Sequence, residues 1–570
     1  MRQTRGRHVS RLLDWVLAMK KALPVAAMAL AATAASLTGP IVFEEIAGRS
    51  GLAFTADSSP TPNKNQPETM VAGVALLDYD NDGYLDVYFV NGAAIPSLQK
   101  ESPKYWNRLF HNNHDGTFKD VTEKAGVAGE GYGMGVAVGD YDNDGWPDIY
   151  LASVTRNQLF RNNHDGTFTD VAAKAGVAGG MLDGKKMWSV SALWIDYNND
   201  GKLDLFVSNY CKWEVNKDPV CGPKPEMRAY CHPKNYAPLP DTLYRNNGDG
   251  TFTDVSAETG INKHYGKGMG AVMADYDGDG FMDIFVANDN HPNFLYRNIG
   301  GKKFEEVALE SGVAYSVSAN VISGMGADFR DVDNDGYPDI WHTATENETF
   351  PLYRNRGSGD FEEVTDKSML SKTRTMSGWS NGIVDFDNDG WKDLFVARGN
   401  VLDNVALFSS RQYEEPNSIF RNLGKGKFLD VSAHVGADFQ KAAAHRGAAF
   451  GDVDNDGKMD AVVTVLNGPA KYFHNITQNA NHWILIKLEG TRSNRMGLGA
   501  QVCVTGEDGM RQCNIATTAV GYACASDSRV HFGLGNSKTI RDLEVKWPGG
   551  GRQSLKDVPA DQILRIEEAP

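Results

Sequence analysis

Several things are scarce or missing in this 570-residue chain, and each absence excludes a class of protein. Cysteine is rare: six residues, none before Cys211, so an N-terminal lipid-bearing cysteine is not on offer. Long apolar runs are nearly absent. The longest, Ala22 to Leu37, has only sixteen mostly small residues, which is short for a stable membrane span. No basic stripe exists, and the formal charge is −16, which excludes an extended nucleic-acid interface. Helical periodicity of useful length is missing, and no G-x-S-x-G, HExxH or phosphate-loop motif marks a reaction class.

The apolar run follows Arg2, Arg5, Arg7, Arg11, Lys20 and Lys21, and Ala32-Thr33-Ala34 offers an A-x-A cleavage site. Residues 1–37 are therefore expected to be a secretory signal peptide, with a permanent anchor as the competing reading. Export makes disulfides the expected state of the cysteines, which fall in two groups: Cys211, Cys221 and Cys231, then Cys503, Cys513 and Cys524. Zinc is the alternative, but gaps of nine or ten residues do not match the short spacings of zinc sites. Cys503 and Cys513 stand symmetrically about Asp508-Gly509, the turn of an expected hairpin, and so face each other across two strands. The other connectivity stays open.

What the chain has in abundance is one acidic loop, D-x-[DN]-x-D-G-x-x-D, repeated seven times between apolar runs. A repeat at this period decides the architecture. Positions 1, 3, 5 and 9 are the expected metal ligands. They are Asp78, Asp80, Asp82 and Asp86; Asp140, Asp142, Asp144 and Asp148; Asp196, Asn198, Asp200 and Asp204; and Asp275, Asp277, Asp279 and Asp283. The last three loops give Asp331, Asp333, Asp335 and Asp339; Asp385, Asp387, Asp389 and Asp393; and Asp452, Asp454, Asp456 and Asp460. Carboxylates so crowded repel unless a cation sits among them, and hard oxygen donors at alternating positions suit Ca²⁺. Where an EF-hand has its twelfth-position glutamate, these loops have Phe89, Leu151, Val207, Val286, His342, Val396 and Val463, so they are strand–loop–strand sites. Up to seven structural Ca²⁺ are expected, the third bound more weakly because Asn198 is neutral. They would bring the net charge to about −2 from −16.

Each repeat reads as four short strands. GVAVGD leads into the acidic loop, then DIYLAS, QLFRNN, an HDGT turn and TFTDVA. Four antiparallel strands per unit and seven units describe an all-β fold, a seven-bladed β-propeller over residues 41–477. The third strand recurs from Arg108–Asn112 to Lys471–Asn475, but the fourth-strand pattern F-x-[DE]-[VI] is missing after Asn475. Phe43-Glu44-Glu45-Ile46 supplies the missing copy, so strand 43–46 is expected to complete the last blade. The long insertions 91–106, 210–240 and 397–417 then fall on the face opposite the acidic loops. Residues 478–570, with alternating segments such as HWILIKLE and LEVKWP, read as a separate small β-sandwich or barrel.

These loops resemble FG-GAP/VCBS repeats, the unit of integrin-type calcium propellers. Asn481-His482-Trp483, the run Ser493–Ala500, His531–Gly535 and Trp547–Gly550 resemble an ASPIC/UnbV domain. The insertion from Cys221 to Tyr236 is also similar to that family's elaboration of its third blade. The resemblance implies a secreted, periplasmic or surface protein of the cartilage acidic protein type, calcium-binding, with an interaction role and no catalytic residue to carry over. Met496 stands where the family usually has a polar residue.

The expected function is an interaction or adhesion module for an extracellular or periplasmic protein or glycan. The alternative is an enzyme or biosynthetic accessory protein using the loop face. Its candidate residues are His291, Arg446 beside His445, and His232 beside Cys231, each read first as an ordinary loop hydrogen-bonding residue.

Overall fold

The computed structural model describes residues 41–224, 227–407 and 409–570; the segment read above as a signal peptide lies outside them. Seven sheets follow one another, each built on four antiparallel strands, the first extended by two strands from the C-terminal unit and the fourth by one short strand. In the second sheet Gly133–Gly139, Asp148–Ser153, Gln158–Asn162 and Phe168–Asp170 run from innermost to outermost. The acidic loop joins the first two strands, as its flanking apolar runs require.

The seventh sheet has three strands of its own, His445–Gly451, Asp460–Val465 and Lys471–Asn475. Its fourth is Phe43–Glu45, in antiparallel register with Phe43 opposite Asn475 and Glu45 opposite Phe473. The innermost strands touch in cyclic order, the seventh lying against the first. The architecture is a propeller in which each pair of neighbouring sheets shares a core. Leu77, Tyr88 and Leu109 of the first sheet, for example, pack on Val138, Ile149 and Phe160 of the second. Burial of these faces is the main stabilising term. Among the described residues, no helix is long and apolar enough to cross a membrane.

Residues 482–567 form two facing sheets. One holds Val530–Gly535, His482–Glu489 and Gln562–Glu567; the other holds Arg511–Ile515, Gln501–Gly506, Thr539–Lys546 and Arg552–Pro559. Ile484 and Ile486 of the first meet Val502, Leu543 and Val545 of the second in one core, so the unit is a sandwich. Cys503 and Cys513 face each other in register and are disulfide-bonded, as are Cys221 and Cys231, while Cys211 and Cys524 are buried free thiols.

The sandwich is not spatially separate from the ring, as the sequence suggested. Between its strands, residues 517–527 enter the propeller axis as a hairpin, Ala519–Val520 paired with Cys524–Ala525. Ala525 joins the first sheet beside Ala75, Gly521 exchanges backbone hydrogen bonds with Ala327, and Val136 N–H donates to the Ala523 carbonyl. Tyr522 is fully buried, with its hydroxyl donating to the Met70 carbonyl. Glycines of the inner strands make room for it. A Cβ on Gly135 would lie 2.8 Å from Ala523 Cβ, and one on Gly447 would lie 2.7 Å from Cys524 Sγ. The sandwich itself sits over the acidic-loop face, where Arg495 N–H donates to Asn143 Oδ1 (2.8 Å) and Asn481 Nδ2 to the Asp387 carbonyl (2.8 Å).

Candidate metal loops and the ring that carries them

Within each loop the four sequence-singled positions do different work. The first-position carboxylate accepts the backbone N–H of the glycine five residues on, from Gly83 on Asp78 to Gly457 on Asp452. That contact closes the turn. The ninth-position carboxylate is a bracket: in the first loop Asp86 accepts Tyr79 N–H (3.1 Å) and Asn112 N–H (2.8 Å), tying the loop to the third strand. The same pair of bonds recurs at Asp148, Asp204, Asp283, Asp339, Asp393 and Asp460. Position 5 accepts the N–H two residues on, as Tyr84 on Asp82.

Position 3 is different. Asp80, Asp142, Asp333 and Asp387 each keep a buried Oδ1 with no hydrogen-bond donor, and so does Asp275 at position 1. Ligand atoms of Asp78, Asp80 and Asp82 converge within 4.8 Å, as do those of Asp275, Asp277 and Asp279, and of Asp140, Asp142 and Asp148. A buried carboxylate oxygen left without a donor costs about 1–3 kcal/mol or more. Convergent, donor-free oxygens fit a hard divalent cation. In the third loop Asn198 Oδ1 accepts Asp200 N–H (3.1 Å), as Asp277 Oδ1 accepts Asp279 N–H in the fourth (3.3 Å).

Electrostatics point the same way. Burial first, and neighbouring carboxylates second, push Asp86 and Asp140 up to about 7, Asp452 to about 8, and Asp196, Asp333 and Asp389 to about 6. Protein cations offset part of the repulsion. Arg421 reaches Asp387 (2.7 Å) and Asp389 (2.8 Å), and Arg354 reaches Asp333 (2.7 Å) and Asp335 (2.8 Å). From the sandwich, Lys546 reaches Asp275 (3.1 Å) and Lys487 approaches Asp78 (3.7 Å).

Two sets of asparagines, visible in the sequence only as recurring letters, join the loops into a ring. The asparagine at the end of each third strand (one residue before it in the fourth sheet) donates Nδ2 to the position-2 carbonyl of the preceding sheet's loop, at 2.8–3.0 Å: Asn162 to Tyr79, Asn246 to Tyr141, and so on to Asn475 on Phe386. Asn112 on Val453 closes the circle. Asn475 is therefore buried and committed, although Asn475-Ile476-Thr477 reads as a glycosylation sequon.

The second set runs the other way. Position-4 asparagines, in the left-handed conformation, donate to the position-6 glycine carbonyl of the next loop: Asn81 to Gly145, Asn143 to Gly201, Asn199 to Gly280, Asn334 to Gly390, Asn388 to Gly457, and Asn455 back to Gly83. The fourth loop has Gly278 instead, and its link is missing.

The candidate enzyme residues form no reacting constellation. Arg446 is fully buried, stacked 4.1 Å over Trp379, and its guanidinium donates to the carbonyls of Thr69, His445 and Asn400. Burial pushes His445 down to about 4. His232 caps a short turn by accepting Lys234 N–H, and His291 ends a strand. Sequence reasoning missed the axial hairpin. It also missed a cavity of about 480 Å³ between the first two acidic loops and the sandwich, lined by Asp78, Asp140, Lys487, Arg495, Met496 and Arg529. Met496 there touches Asp140 N–H through its sulfur (3.2 Å).

Comparison with known proteins agrees with this architecture. Models of the FG-GAP-like repeat match residues 78–151, 140–207, 235–286, 275–342, 331–396 and 401–463, and the ASPIC and UnbV model matches 490–570. Cartilage acidic protein 1 of Mus musculus is 26% identical over 536 residues, 90% of this chain and 76% of that protein. The Homo sapiens protein of the same name is 26% identical over 519 residues, 87% of this chain and 72% of that one. Among solved structures, an Agrocybe aegerita lectin described as recognising non-reducing terminal N-acetylglucosamine matches at 16% identity and TM-score 0.40. It covers 73% of this chain and 90% of that one, a likeness too loose to bear on function. With FG-GAP-like repeats matched across the ring and the ASPIC and UnbV model across the sandwich, the chain belongs to the family of FG-GAP-repeat proteins with a C-terminal ASPIC/UnbV domain.

Proposed function

We propose that this chain is an exported, calcium-rigidified interaction protein. Divalent ions seat in the acidic loops, the sandwich settles over them, and the opposite loop face meets a partner protein or glycan. The observation that carries the reading is the set of donor-free buried carboxylate oxygens in the loops, together with the convergence of neighbouring carboxylates on them that a hard cation would satisfy. Because the sandwich and its hairpin cover the acidic face, the long insertions 91–106, 210–240 and 397–417 are the elaborated surface left open.

The test is crosslinking of the mature protein in its native extracellular fluid, with and without chelator. Crosslinks mapping to those three insertions, and disappearing on chelation, support the reading. Crosslinks confined to residues 478–570, unchanged by chelation, contradict it.

A further inference from the structure

The third strand of every sheet carries a basic residue immediately before its asparagine, and at Arg161, Arg354, Arg421, His111 and His474 that side chain reaches carboxylates of the acidic loop. In five sheets that residue is arginine: Arg161, Arg245, Arg297, Arg354 and Arg421. In the first and seventh sheets, neighbours across the ring closure, it is histidine: His111 and His474. The exchange alters the chemistry of the site. A guanidinium is a permanent cation and never a metal ligand, whereas a neutral imidazole is among the commonest ligands of transition ions.

His111 Nδ1 lies 3.3 Å from Asp80 Oδ2 and 3.3 Å from Asp86 Oδ1. It is a buried atom that lacks the geometry of a hydrogen bond to either, and Asp80 Oδ1 beside it is likewise without a partner. Donor atoms on a tetrahedral ion with bonds of ~2.0–2.1 Å sit roughly 3.3–3.4 Å apart, the spacing seen here. His474 faces its two carboxylates through different nitrogens: Nδ1 is hydrogen-bonded to Asp460 Oδ1 (3.2 Å) and Nε2 lies 3.8 Å from Asp454 Oδ2. In each trio, one ligand atom per residue lies within 4.8 Å of the others. The histidine of the next turn is not what distinguishes these sheets. His114 bonds Asp82 in the first sheet and His164 bonds Asp144 in the second, yet only the second has an arginine (Arg161) on its loop.

We propose that the first and seventh loops are transition-metal sites, in which Asp80, Asp86 and His111, and Asp454, Asp460 and His474, hold a borderline divalent ion of the Zn²⁺ or Co²⁺ class. One nitrogen and two carboxylates are a poor set for Ca²⁺, which takes oxygen donors, and a good one for such ions, with water completing the shell. This inference concerns two loops and stands whether or not the other five hold calcium.

Co²⁺ is the probe, because its visible d–d bands report nitrogen ligation and low coordination number. Protein stripped by chelator is titrated with Co²⁺ alone, and again with Ca²⁺ at ~10⁻³ M, the level at which extracellular modules operate. Stoichiometry is read by native mass spectrometry. Two Co²⁺ equivalents are expected to persist against calcium. His111→Arg and His474→Arg each remove one equivalent, and Arg161→His adds a third. Arginine is the residue five other sheets use at this position, so the variants are expected to fold, and their melting curves check that. An unchanged Co²⁺ stoichiometry in the double arginine variant overturns the proposal. So does complete displacement by calcium, or a failure of Co²⁺ to bind, in which case His111 and His474 are protonated braces standing in for arginine.

Discussion

Asn422 is the place to test whether the asparagine latches hold the ring. It is 1% exposed, and its Nδ2 donates to the Val332 carbonyl of the preceding sheet (2.9 Å) and to the Lys392 carbonyl of its own loop (2.8 Å), while its Oδ1 accepts Gly424 N–H (2.9 Å). Asn422→Ala removes all three bonds and strands two carbonyls of buried residues. At ~1 kcal/mol net per bond, with a further penalty for buried unsatisfied groups, the loss is about 3 kcal/mol and not more than ~5. Asn422→Asp keeps the shape but sets a carboxylate against two carbonyls, and is expected to cost at least as much. Asn113→Ala, at an exposed turn where Nδ2 reaches only Thr117 Oγ1, is the control and should fall within about 0.5 kcal/mol of the parent. Urea unfolding with calcium present gives the size of the effect. Because a repeat ring need not unfold in one step, hydrogen exchange over residues 328–339 and 385–396 reads it locally. Parent-like unfolding and exchange in Asn422→Ala would refute the latch.

Other expectations follow from the same geometry. Gly278→Asn should restore the missing link to the Gly336 carbonyl and stabilise by about 0.5–1.5 kcal/mol, since a Cβ there meets nothing within 4 Å and asparagine tolerates the left-handed backbone that Gly278 adopts (φ +78); a fall in melting temperature would count against it. Tyr522→Ala empties the axis beneath Trp379 (ring centroids 5.3 Å apart) and should cost about 3–5 kcal/mol, splitting the melt into separate ring and sandwich steps by calorimetry. The pH dependence has a definite sign. Asp86 and Asp140 titrate at about 7 and Asp452 at about 8 in the folded chain, above the unfolded value near 4, so their contribution is full below about pH 4 and is lost as pH climbs through 7 to 8. Chelated protein should therefore melt lower at pH 8 than at pH 5.5, and calcium, by favouring the carboxylates, should reverse that order; equal melting points with chelator would exclude the effect.

The repeat was legible because its chemistry is local. A nine-residue loop with fixed aspartates and a glycine, flanked by strands of period two, announces both hairpin and register, and the stray Phe43-Glu44-Glu45 found its partner Asn475 by pattern alone. Cys503 and Cys513 were legible for the same reason, being equidistant from one turn. What stayed hidden was long-range. That Asn162 belongs to the loop of the preceding sheet, or Asn81 to that of the next, depends on how sheets stack, and the letters N-x-D-G-T-F carry no such information. The ninth aspartate, expected as a ligand like the others, also accepts one backbone N–H on each oxygen, a bracing role that only the folded loop reveals and that leaves each oxygen a lone pair. The axial hairpin escaped because Thr517 to Asp527 looks like another connector between sandwich strands. The inner-strand glycines at 135, 270 and 447 were the one available hint, since small residues there leave space that something must fill.

The account rests on divalent ions in the acidic loops, and native mass spectrometry of the protein before and after chelation tests that most directly. Up to seven divalent ions are expected on the untreated protein, lost with chelator and accompanied by a fall in melting temperature of many degrees. A protein that carries no divalent ion as isolated, and melts identically in excess chelator, would contradict it.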